Sequence, residues 1–99
     1  MLDRRKREVE ANMNILEEAD KTIHGERQDQ YGNAEKSFAK IAGMWEEYLG
    51  VAIDENDVAM MMILLKVARQ SNQHKRDNLV DICGYAALAG ELYNTAKEG

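Results

Sequence analysis

Three observations predict an all-α fold for this chain. Its 99 residues contain no proline, so the strongest helix breaker is missing throughout. Alanine, leucine, methionine, glutamate and lysine, all good helix formers, are abundant. Apolar residues recur at three- and four-residue spacing in four separate runs. The length allows one domain, read as residues 1–99 with an N-terminal helix over 1–24, a loop over 25–33 and a three-helix core over 34–99.

The first run, from about Asp3 to Ile23, carries Val9, Met13, Leu16 and Ile23 as a narrow apolar stripe on an otherwise charged helix. Between His24 and Asn33 two glycines and an asparagine interrupt the periodicity, and His24, Arg27, Asp29 and Tyr31 fall together there, so the segment is read as a functional loop. The second run, 34–49, spreads Phe38, Ile41, Ala42, Trp45, Tyr48 and Leu49 over a wide face, with Gly50 where a C-terminal cap is expected. Asp54 can cap the third run, with Asp57 three residues on. From Ala59 to Leu65 that run is apolar almost all round, which predicts the most buried helix of the set. Residues 71–74 form a short connector, and the fourth run spans about 75–96, so the last two helices should form an antiparallel hairpin within a four-helix bundle.

Composition narrows the function. With 13 Lys and Arg against 18 Asp and Glu, the net charge of −5 disfavours long-range attraction of nucleic acid. The single cysteine, Cys83, sits in an apolar helical run and reads as a structural thiol. No apolar stretch reaches the roughly 20 residues of a membrane-spanning helix, and the start is charged, so a soluble protein in the cytoplasm is expected.

The chemically richest stretch is 75–85. Asp77 and Asp81 stand four residues apart on one helix and so project from one face, amid Leu79, Val80, Ile82 and Cys83. Like charges at that spacing repel, increasingly so as water is removed, and call for a cation. A divalent ion such as Mg²⁺ is one answer, since bundle helices commonly hold hard cations through carboxylates. The other is the set Lys66, Arg69, Lys75 and Arg76. Asp57 is a candidate third metal ligand, though in a strict hairpin it lies toward the far end of the last helix. The basic residues could neutralise phosphate oxygens, with Asn78 adding a polar contact and Arg27 and Tyr31 contributing from the loop.

Three blocks, 25–32, 57–69 and 77–88, together resemble a family of small phage and prophage proteins of unassigned function. More distantly, the acidic helix followed by an apolar run is similar to the MazG-like all-α nucleoside triphosphate pyrophosphatases. That second resemblance implies a MazG-like bundle assembled as dimers or tetramers, with Mg²⁺ on carboxylates of two helices and cleavage between the α- and β-phosphates; Asp77 and Asp81 would then be catalytic. The chain departs from the MazG pattern: it has Asp77-x-x-x-Asp81, and no E-x-x-E pair stands in the second or third run. The expected function is thus a Mg²⁺-dependent pyrophosphatase acting on a nucleotide, with a non-catalytic nucleotide or signal-molecule binder, or a helical interaction protein, as alternatives. A homo-oligomer is expected because nearly every helix carries a stripe that one short chain cannot cover.

Overall fold

The computed structural model describes residues 13–25 and 34–98, with side chains to Asn94. Arg27 and Tyr31 lie outside the described residues, as does the part of the predicted first helix before Met13. Four helices and no strands are present among the described residues: α1 (Ile15–His24), α2 (Ala34–Leu49), α3 (Glu55–Asn72) and α4 (Arg76–Glu98).

Each helix begins or ends where local chemistry dictates. α1 starts later than the apolar stripe suggests, because Asn14 is extended and caps it: the Glu17 amide donates to Asn14 Oδ1 at 2.8 Å, and Asn14 Nδ2 donates to Glu17 Oε1 at 2.7 Å. The helix therefore does not run unbroken through Asn14. α2 ends at Gly50, whose φ of +72° is costly for any residue with a Cβ. Glu46 closes the corner that follows, its Oε1 accepting from the Ile53 amide at 3.0 Å. α3 opens with the reciprocal cap the sequence suggests: Asp54 Oδ1 accepts from the Asp57 amide at 2.8 Å, and Asp57 Oδ2 accepts from the Asp54 amide at 3.0 Å.

The α3–α4 hairpin forms the centre, with α2 packed on α3 and α1 packed on α4. Phe38, Ala42, Val58 and Ala59 form the main buried cluster, joined by half-buried Ile41, Trp45, Ile53, Met62, Tyr85 and Leu88. The rings of Phe38 and Tyr85 meet at 6.3 Å between centroids. α1 buries Ala19 and approaches α4 at Gly84, where an added Cβ would meet Ile23 Cγ2 at 3.3 Å.

Two expectations are corrected. α3 is not buried all round: Val58 and Ala59 are buried, yet Met60, Met61, Leu64, Leu65 and Val67 are exposed, because α2 and α4 both occupy its opposite side. Leu16, Tyr48 and Leu49, assigned to packing stripes from spacing alone, are exposed as well. The face that α1 turns to α4 runs instead through Ile15, Glu18, Ala19, Thr22 and Ile23.

Candidate functional site

The register of the hairpin decides where the candidate residues go. Lys66 Nζ lies 2.9 Å from Asp81 Oδ2, with only 16% and 14% of the two side chains exposed. One turn nearer the connector, Asn78 Nδ2 donates to Gln70 Oε1 at 3.1 Å, and the Lys75 amide donates to the same oxygen at 2.9 Å. Asn78 is buried and also donates weakly to the Gln73 carbonyl at 3.4 Å. Gln70 and Asn78 thus tie the connector to both helices.

A cleft of about 390 Å³ opens at this turn, lined by Ala68, Arg69, Asn72, Gln73, Lys75 and Asn78. Three sequence-predicted ligand residues, Arg69, Lys75 and Asn78, therefore meet around one space. Both cations reach it from backbone that is fixed: Gln73 caps α3 by donating its amide to the Arg69 carbonyl at 3.0 Å, and Lys75 is pinned by Gln70. The cleft lies against the first turn of α4. Lys75, the residue before that turn, has no side-chain oxygen with which to cap it, and the Asn78 amide donates instead to the Lys75 carbonyl at 3.1 Å.

The remaining predicted residues go elsewhere. Arg76 is a structural latch rather than part of the cleft: its guanidinium pairs with Glu18 of α1 and donates to the Met13 carbonyl at 2.6 Å. Lys66 is occupied by Asp81. Asp57 is engaged in the α3 cap and, in the observed register, sits roughly 20 Å along the hairpin from the level of Asp77. Asp77 is exposed in the first turn of α4. Asp57 thus stands apart from Asp77 and Asp81, and among the described residues no group of three or more Asp, Glu, His or Cys is placed to hold an ion.

Sequence reasoning grouped His24, the last residue of α1, with the loop and missed its partners. Its Nε2 lies 2.7 Å from Glu91 Oε1 and its Nδ1 3.0 Å from Asp20 Oδ1, so it joins the end of α1 to α4. The Glu91 hydrogen bond, more than the charges of Glu91 and Asp20, raises its pKa above the ordinary value. A partner 67 residues away leaves no local pattern to read. No helix among the described residues is long and apolar enough to cross a membrane.

Two phage proteins are similar to this chain. The Gene 55 protein of Mycobacterium phage D29 is 42% identical over 86 residues, covering 86% of this chain and 57% of that protein. The Gene 55 protein of Mycobacterium phage L5 is 45% identical over 82 residues, covering 81% and 53% respectively. The chain thus spans a little over half the length of these curated relatives. No solved structure matches significantly. The model of the family described as Domain of unknown function (DUF6378) matches residues 14–93, from the cap of α1 to the exposed Tyr93 of α4, and the chain belongs to that family.

Proposed function

We propose that the protein binds a phosphorylated small molecule of the nucleotide class in the cleft at the α3–α4 turn, and that it binds without hydrolysing. The observation that carries this reading is the convergence of Arg69, Lys75 and Asn78 on one cleft beside the first turn of α4. Arg69 offers a planar fork for two phosphate oxygens, Lys75 a movable point charge, and the α4 amides further donors. Mg²⁺ arriving with a nucleotide needs only one or two protein carboxylates, because phosphate oxygens and water fill its other positions. Asp77, exposed in the first turn of α4, would supply one. Hydrolysis through a carboxylate-held ion draws on a gathered acidic set, whereas here Asp81 is matched by Lys66 and Asp57 by the α3 cap.

Titration calorimetry with ATP, with inorganic phosphate and with Mg²⁺ present or absent tests the reading, with products followed in parallel. Saturable binding with the nucleotide intact is expected, and Arg69→Ala or Lys75→Ala should each weaken it about tenfold, the equivalent of one charge-assisted hydrogen bond. Absence of binding, or binding indifferent to both substitutions, would overturn the site. Pyrophosphate release that vanishes in Asp77→Asn would overturn the non-hydrolytic half of the proposal.

A further inference from the structure

The two ends of a side-chain amide have the same shape, and here a backbone donor settles which way round Gln70 and Asn78 lie. The Lys75 amide can only donate, and it reaches Gln70 at 2.9 Å, so the atom of Gln70 at that point is the oxygen Oε1. The same oxygen meets the Asn78 side chain at 3.1 Å, so the atom of Asn78 there is the nitrogen Nδ2. The second hydrogen of Nδ2 is directed to the Gln73 carbonyl at 3.4 Å, another group that can only accept. Both donors of Asn78 are thus committed to the connector.

Its acceptor is not. Among the described residues no donor reaches Asn78 Oδ1. Asn78 is just 7% exposed, yet Oδ1 is not sealed from water, and the open space against Asn78 is the cleft. Arg69 and Lys75, in the same cleft, can hold an anion but have no lone pair for a hydroxyl proton. Oδ1 is a neutral acceptor close to both: Lys75 lies one turn before Asn78, and Gln73, which accepts from Asn78, donates its amide to the Arg69 carbonyl.

We infer that Asn78 Oδ1 accepts a hydrogen bond from a ribose hydroxyl of the bound nucleotide, so that the cleft selects ribose over deoxyribose ligands. The inference rests on the reading of the cleft as a phosphate site and adds to it a specificity-determining residue. Proximity to the cations favours the sugar, which is joined directly to the phosphates, over the base, which lies beyond it. Gln70 is then a positioning residue: it touches no ligand atom but holds the Asn78 amide with its oxygen toward the cleft. Because Oδ1 keeps access to water, a deoxy ligand leaves it solvated rather than orphaned. That limits the selectivity to about tenfold, well short of the roughly four orders of magnitude that a sealed site reaches.

Titration calorimetry on the full chain with Mg²⁺ and five probes tests the inference: inorganic tripolyphosphate, ATP, 2′-deoxyATP, 3′-deoxyATP and purine riboside triphosphate, which lacks the base amine. ATP should bind about tenfold tighter than one of the deoxy forms, and purine riboside triphosphate as tightly as ATP. In Asn78→Ala and in Gln70→Leu, each confirmed as folded by circular dichroism, that ratio should fall to about one. Gln70→Glu, which still accepts from both donors, should keep the ratio even where affinity for every probe drops. Equal binding of ATP and both deoxy forms by the parent would overturn the inference, as would a ratio that survives Asn78→Ala or a selectivity that follows the base amine. With tripolyphosphate bound, those outcomes leave the phosphate site standing; if neither tripolyphosphate nor ATP binds, the reading of the cleft falls and this inference with it.

Discussion

At its open end the α3–α4 hairpin packs Val58, Ala59 and Met62 against Leu88, Tyr85 and the α2 side chains Phe38 and Ala42. At its closed end the same two helices meet through Lys66 and Asp81, then through Gln70 and Asn78. The open end gains from removing apolar surface from water and tolerates no charge. The closed end offsets the cost of half-burying two ions by matching them, which adds little net stability but fixes the register of the helices. That register is what brings Arg69 and Lys75 to the cleft. One end supplies most of the folding energy and the other positions the polar chemistry.

The largest test of this contrast is Val58→Asp. It leaves a carboxylate unpaired in a site with no exposure, and we expect a loss of about 4 kcal/mol or more, seen as a non-cooperative thermal melt. Next comes Lys66→Met, which removes the cation facing Asp81 and should cost about 3 kcal/mol in urea unfolding. The pair of changes Lys66→Met with Asp81→Leu should recover most of that loss while lowering nucleotide affinity, because register rather than energy is what the pair contributes. Asn78→Ala should cost about 1 to 2 kcal/mol, by leaving part of Gln70 and the connector without a donor. An equal cost for Lys66→Met and the double variant would collapse the distinction between the two ends.

The smallest effect concerns the attachment of α1, which is tied near the closed end by Glu18 to Arg76 and farther along α4 by His24 to Glu91. The His24 pKa is raised from 6.5, so its contribution is full below pH 6.5 and is lost as pH rises through the raised value. Melting temperature should therefore fall slightly from about pH 6 to about pH 9, and His24→Gln should flatten the slope in that window.

Much of this molecule is written locally. The absence of proline, the periodic runs, Gly50 and the Asp54–Asp57 cap placed α2 within the residues it occupies and opened α3 correctly. The Asn14 cap was equally legible, since Asn14 and Glu17 have the spacing of a capping pair, but the apolar stripe around it hid the signal. Burial was less legible: periodicity reports which residues share a face, not which face finds a partner, and so Leu16 and the outer side of α3 were assigned inward. For the site, spacing alone could not distinguish exposed Asp77 from Asp81 matched by Lys66, because the answer depends on the hairpin register. Arg76 was out of reach for the same reason, its partner being on α1.

The most direct test of the cleft is a ¹⁵N amide titration of the intact protein with Mg²⁺–ATP. Shifts concentrated at Arg69, Gln73, Lys75, Asp77 and Asn78, with the amides of Val58 and Ala59 unmoved, are the result this account predicts. Shifts centred on Asp57 and the open end of the hairpin, or none at saturating nucleotide, would contradict it.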